Sequence, residues 1–433
     1  MIRIAPLGRA LAVAAAAGLA LTACGGGTES AAPSSAPAAP ASSAAAPAAN
    51  AGDGTFTVGT LLPQTGSLAF LGPPEFAGVK LAVQEINAAG GVLGKPAVEI
   101  DTDSGDTSTN IASQSVDKLL QQKADVVVGA ASSSVSLSVI DKITGAGVVQ
   151  ISPANTSDQL TTYNDKGLYF RTAPPDVLQG RVLGDLIVAD GNDTVGILAL
   201  QDAYGTGLAD NTEKAVTGGG GEVVAKVIYD PKAPDFSADV AKIKAANPKA
   251  IALIGFDETK KIVPELVKQG LTAQKVHWYF VDGNLSNYGT GKDGFPKGTL
   301  DGVKGTQPGA EVSDDFKQKM LATDPSLHDF NYGPESYDAT IVTALAALAA
   351  KSDAGVDIAK KLQEVSSGGT KCKAFKECAD LIAAGTDVDY DGVSGPIEFN
   401  AAGDPAEATI GVYQYGADNK NKNVSYNTGK ISG

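Results

Sequence analysis

Thr55-Phe56-Thr57-Val58-Gly59-Thr60-Leu61-Leu62, closed by Pro63 and Gly66, is a β-branched and apolar run ended by two turn formers, and it reads as a strand. The segment behind it places Phe76, Val79, Val83 and Ile86 at spacings of three and four, which gives one apolar helical face, and Gly90-Gly91 stops it. The alternation then repeats: strand Val98 to Asp101, helix Ile111 to Gln121, strand Asp125 to Gly129, helix Ser133 to Thr144, strand Val148 to Ser152. Strands separated by helices of this length are βαβ units and build a mainly parallel sheet.

A second series begins at a helix over Val177 to Ala189. It runs through strands at Thr194 to Leu200, Glu222 to Tyr229, Ala250 to Gly255 and Val276 to Val281, with helices over Gly207 to Val216, Phe236 to Ala246 and Lys260 to Gln269 between them. Helices over Asp314 to Ala322, Pro334 to Ala350 and Val356 to Val365 follow, then strands near Pro396 to Phe399 and Ile410 to Tyr415. A chain of 433 residues also exceeds what one hydrophobic core usually supports. The expected fold is therefore α/β, with two doubly wound parallel-sheet lobes.

In open sheets of this kind ligands bind outside the carboxyl ends of the strands. After Gly129 stands Ala130-Ala131-Ser132-Ser133-Ser134, and after Ile151 stands Ser152-Pro153-Ala154-Asn155-Thr156, two hydroxyl-rich loops of which the first feeds a helix N-terminus suited to an anion. A simple N-cap explains the first equally well. The second series ends its strands on Asp202-Ala203-Tyr204-Gly205, Phe256-Asp257-Glu258 and Asp282-Gly283. Aromatic walls and one acid on this side, hydroxyl donors on the other, describe a site for a zwitterion.

Composition narrows the chemistry. With Lys+Arg 34 against Asp+Glu 49, a net charge of -15 lacks the basic surface that nucleic acid requires. Two His and three Cys leave little for metal centres or His-based catalysis, so no cofactor, no metal and no enzymatic activity are expected. Gly289 to Gly294 fits GxGxxG only by spacing, because no strand precedes it and Pro296 follows. Asp101 to Asp106 resembles the start of a calcium loop but has Ala112 where the closing Glu belongs. His277 reads as a packed core residue and His328 as a surface one, while Arg171 and Asp176 suit a structural part in the hinge.

At the N-terminus, Arg3 and Arg9 precede an apolar run from Leu11 to Leu21, too short to span a bilayer, and the pattern reads as an export signal. It ends in Leu21-Thr22-Ala23-Cys24, which resembles the bacterial lipobox and implies residues 1–23 as signal peptide and a lipidated Cys24. Residues 24–54 are rich in Ala, Pro, Ser and Gly and read as a disordered tether. Cys372 and Cys378 remain as an even pair in an oxidising compartment, so a local disulfide is favoured.

From Phe56 onward the chain resembles the branched-chain amino-acid-binding proteins of ABC importers, the leucine/isoleucine/valine type with the type I periplasmic-binding-protein fold. The resemblance rests on the order and spacing of Gly59 to Gly66, Ala82 to Val92, Val128 to Ser134, Ile151 to Thr156, Phe170 to Asp176 and Asp202 to Gly205. It implies lobes of residues 55–173 with 308–406 and 174–307 with 407–433, joined by a three-stranded hinge with crossovers near Ala173 to Pro175, Gly305 to Pro308 and Pro405 to Thr409. It places the ligand carboxylate on Ser132, Ser133, Ala154 and Thr156, the ammonium on Asp282, and the side chain against Tyr204, Phe256 and Phe70. Phe256 stands where Tyr is frequent and Asp282 where Glu is frequent, so an amide, urea or aromatic acid is an alternative ligand. The expected partners are an amino acid, ABC permease subunits and, through the lipid anchor, the outer face of the cell membrane; a monomer is expected.

Overall fold

A computed structural model describes residues 51–292 and 294–431. The signal segment, Cys24 and the tether up to Asn50 lie outside these residues.

Among them, β1 (Thr57–Leu62), α1 (Gly72–Ala88), β2 (Val98–Asp103), α2 (Ile111–Gln121), β3 (Val126–Gly129), α3 (Ser133–Gly145), β4 (Val149–Ser152) and β5 (Tyr169–Arg171) form the first wound unit. Its five strands run parallel in the order β2-β1-β3-β4-β5. Every residue of β1, β3 and β4 is buried, the pattern of a parallel sheet covered on both faces rather than an alternating one.

The second unit comprises α4 (Asp176–Ala189), β6 (Thr194–Leu200), α5 (Ala203–Gly218), β7 (Glu222–Tyr229), α6 (Ser237–Ala246), β8 (Ala250–Ile254), α7 (Thr259–Lys268), β9 (His277–Val281) and β10 (Lys304–Pro308). The chain then returns through α8 (Asp314–Thr323), α9 (Gly333–Ala350), α10 (Gly355–Val365), β11 (Thr370–Cys372), α11 (Phe375–Ala383) and β12 (Val388–Tyr390). Ile341, Leu345, Ile358 and Phe375 from this return share one core with Val58, Val126 and Val149 of the first sheet. Strand β13 (Glu407–Tyr415) finally adds antiparallel to β10 and β14 (Asn421–Lys430) antiparallel to β13, giving the order β14-β13-β10-β9-β8-β6-β7. Strands β7-β6-β8-β9-β10 thus repeat the winding of the first sheet, and each sheet reverses direction once, between β1 and β3 and between β6 and β8. A switch point is where adjacent loops part and leave a crevice.

The chain passes between the sheets after Arg171, after Pro308 and before Glu407. Arg171 ties the first passage to the third: its Nε donates to Asp404 at 2.6 Å with both side chains fully buried, and its remaining nitrogens donate to Asn155 O, Ser157 O and Thr161 Oγ1. Cys372 and Cys378 are joined by a disulfide bracketing the start of α11.

Three local expectations fail. Pro396 to Phe399 is not a strand but makes isolated bridges, Asp391 to Pro396 and Phe399 to Pro405, because a Pro without an N–H at each contact leaves no continuous ladder. His277 is exposed, not packed, since it opens β9 at the strand's solvent end, with Nδ1 2.9 Å from Asn192 Oδ1. Helix α5 starts at Ala203 rather than Gly207 because Asp202 caps it, its Oδ1 accepting from Gly205 N at 2.7 Å.

Candidate ligand-binding site

The two switch points face each other. From the first sheet come the turn after β1, the start of α3 after β3 and the loop after β4; from the second come the start of α5 after β6, the turn after β8 and the end of β9. They enclose a cavity lined by Ser132, Ser133, Ala154, Thr156, Tyr204, Phe256 and Asp282, with Leu68, Leu71, Ala131, Gly283 and Tyr332.

On the first-sheet side the serines have separate tasks. Ser132 is the N-cap of α3, accepting from Val135 N at 3.4 Å. Ser133 Oγ accepts from Thr156 N and Ser157 N, both at 3.2 Å, and so locks the loop after β4 against the helix start. Each hydroxyl keeps its proton to donate. Thr156 also lines the cavity, its hydroxyl buried beside the Asp176 carboxyl. The first-turn N–H groups of α3 lack intrahelical acceptors and add positive potential.

Opposite them stands Asp282, 5% exposed. Its Oδ1 accepts from Tyr204 Oη at 2.7 Å and Gln179 Nε2 at 2.9 Å, and its Oδ2 accepts from Tyr332 Oη at 2.8 Å. Burial pushes its acid above the usual carboxylate range, and the three donors pull the other way. Tyr204 lies parallel to Phe256, ring centroids 5.4 Å apart at 10°, which makes a flat apolar wall. Gly283 permits this closeness: a Cβ there would lie 2.7 Å from both Phe256 Cδ1 and Gly255 O.

The cavity itself holds only about 10 Å³, roughly one water. It is shut by bonds between the lobes: Ser134 Oγ donates to Asp202 Oδ2 at 3.2 Å and accepts from Ala203 N at 3.1 Å, Ser157 Oγ donates to Ala203 O at 3.0 Å, and Asn211 Nδ2 donates to Asp158 Oδ2 at 2.6 Å. A ligand enters when these part.

The chain matches the sequence model of the periplasmic binding protein family over residues 55–421. It belongs to that family. The family consists of solute-binding proteins, and the structure has its type I fold, an α/β architecture in two lobes. This periplasmic binding protein is 30% identical over 317 residues to Leu/Ile/Val-binding protein homolog 1 of Brucella abortus, covering 71% of this chain and 82% of the relative. It is 31% identical over 205 residues to homolog 3 of Brucella melitensis, a match spanning 46% of this chain and 54% of that one. Among solved structures, it resembles the branched-chain amino acid transporter substrate-binding protein of Streptococcus pneumoniae in complex with isoleucine, with 24% identity, a TM-score of 0.68, and coverage of 87% of this chain and all (100%) of the other. A solute-binding protein from R. palustris in complex with benzoate is comparably similar, at 21% identity, a TM-score of 0.66, and coverage of 88% and 98%.

The binding protein brings seven of the eight expected ligand residues to one cavity and leaves Phe70 outside it. Bonds from Ala69 N to Gly66 O and from Leu71 N to Leu68 O coil this turn; Leu68 and Leu71 line the cavity, and Phe70, half-buried, packs against the same cluster of side chains without lining it. Tyr332 and Gln179 are the residues the sequence reading passed over. Tyr332 precedes α9 with a positive φ of 58°, in Asn331-Tyr332-Gly333-Pro334, and a search of strand ends alone does not reach a helix start on the return segment. Asp176 is not in the cavity lining: its carboxyl is buried beside Thr156, and burial first, then Asp158, pushes it well above the normal range.

Proposed function

We propose that this chain captures an aliphatic amino acid, branched-chain by its relatives' names, and delivers it to the permease of an ABC transporter while anchored outside the cell membrane through a lipidated Cys24. One observation carries the reading. Asp282 is a buried carboxylate set across an apolar cleft from the hydroxyls of Ser132, Ser133 and Thr156. That polarity matches an ammonium at one end, a carboxylate at the other and an apolar side chain against Leu68, Leu71 and the Tyr204–Phe256 pair. Parting and reclosing of the two lobes supplies capture and presentation.

A second reading is favoured by Asp282 already holding three donors, which suits a ligand with no ammonium, such as a benzoate-type aromatic acid, an amide or a urea. Thermal-shift titration over aliphatic amino acids, amides and aromatic acids separates the two. A ligand at 100 times its dissociation constant adds about 2.7 kcal/mol of stability. Failure of every aliphatic amino acid to raise the melting temperature refutes the first reading. Anchoring is tested by incorporation of labelled fatty acid in cells, expected for the native chain and lost in Cys24→Ala.

A further inference from the structure

Behind Tyr332, away from the cleft, lies a second and larger cavity of about 260 Å³. It is built from both lobes: Gln307 ends β10 at the second passage, Tyr413 and Tyr426 come from β13 and β14, and Phe330, Tyr332 and Glu335 come from the approach to α9. Four aromatic rings stand in its walls together with the buried side chains of Gln307 and Glu335, each 4% exposed, while Lys317, His328, Asp329 and several Asn side chains complete the lining.

Those two groups are poorly served. Neither the Oε1 nor the Nε2 of Gln307 has a hydrogen-bond partner, a costly state for a buried amide. The carboxyl of Glu335 faces the second passage, where only a glycine fits, since a Cβ on Gly309 would lie 2.9 Å from Glu335 Oε1. The charged groups that Glu335 feels are also acids, Asp338 and Glu75, and Glu75 is itself fully buried with both oxygens unpartnered. Lys317 lines the cavity but is paired with Asp314 at 3.3 Å. Burial, with Asp338 beside it, raises the Glu335 carboxyl to about 8, the position of an acid without a partner cation; a cation placed beside it restores its charge, and the surrounding aromatic faces add the attraction of the ring quadrupole.

We propose that this hinge cavity is a second binding site, separate from the cleft, that takes a small organic ammonium ion, with Glu335 as its counter-ion, Gln307 Oε1 as a further acceptor, and the rings of Phe330, Tyr332, Tyr413 and Tyr426 around its alkyl part. The claim does not depend on which solute occupies the cleft.

Butylammonium chloride is the probe, with n-butanol as its uncharged counterpart and sodium chloride matching ionic strength, read by saturation-transfer NMR and calorimetry on the intact protein. Butylammonium binds with one-to-one stoichiometry and butanol does not. Glu335→Gln weakens butylammonium by about tenfold or more, as loss of a charge-assisted contact requires. Asn423→Trp, at the cavity's β14 rim, blocks it without touching a buried group, and Phe256→Trp, which fills the cleft, leaves it unchanged. Equal binding of butanol, an unaltered constant in both Glu335→Gln and Asn423→Trp, or loss of binding in Phe256→Trp overturns the proposal.

Discussion

Replacing Arg171 by Met should damage both the fold and the site, by amounts the structure fixes. The Arg171–Asp404 pair is buried to 0% and 1% exposure, and the guanidinium also serves Asn155 O, Ser157 O and Thr161 Oγ1. Removing one partner of a buried ion pair costs about 3–5 kcal/mol, because the surviving charge is left without compensation. At about 2.1 cal/mol/K per residue, a body of this size shifts by about 1.2 °C per kcal/mol, so the melting temperature falls by about 4–6 °C. The carbonyls of Asn155 and Ser157 lose their donor as well, so the loop carrying Ala154 and Thr156 relaxes and ligand affinity falls with stability. The decisive control is the double variant Arg171→Met/Asp404→Leu, which removes both charges and should recover most of the loss. Calorimetric melting of the native chain, both single variants and the double one gives the coupling directly. A shift below about 2 °C in Arg171→Met, or a double variant as unstable as the two singles summed, would refute the reasoning.

Three further outcomes are expected. Asp282→Ala should weaken an amino-acid ligand by about 2–5 kcal/mol in calorimetry, since a desolvated ammonium loses its counter-charge, and unchanged affinity would remove Asp282 from the site. Burial pushes Asp202 up to about 6, so the native state binds more protons than the unfolded chain between about pH 4 and 6 and stability falls as pH rises through that window; Asp202→Asn should flatten the slope, as measured by urea midpoints across pH. Gly283→Ala should cost about 1–3 kcal/mol and weaken ligand binding, because its Cβ meets the Phe256 ring and Gly255 O at once; an unchanged melting temperature would show that the Tyr204–Phe256 wall is not tightly set.

What the sequence disclosed follows from how much each feature depends on local pattern. Parallel strands buried on both faces leave long apolar runs, so β1, β3, β4, β6 and β8 were legible, and with them the two wound units. Strand β14 was not, because Asn421–Lys430 lies mostly exposed at the sheet's edge and has no apolar side to give it away. The short β5 and β10 exist by pairing with distant neighbours rather than by their own composition. At the site, the strand-end rule located Ser132, Thr156, Tyr204 and Asp282, but the donors that define Asp282's chemistry come from Gln179 and Tyr332, some 100 and 50 residues away in sequence. Phe70 lies half-buried against the cluster around the cavity, whose lining from that turn is Leu68 and Leu71.

The lobe-to-lobe bonds at Ser134, Ser157 and Asn211 bear on how fast and how tightly anything can bind. Each of them joins two protein groups, so they favour the closed arrangement whether the cleft is filled or empty, and an empty closed form competes with binding instead of promoting it. Were that form populated to about 99%, apparent affinity would fall about a hundredfold below that of the open form. Loosening the Asp202 contact would then raise the capture rate, while affinity would not rise with it, because the filled closed form rests on the same bonds.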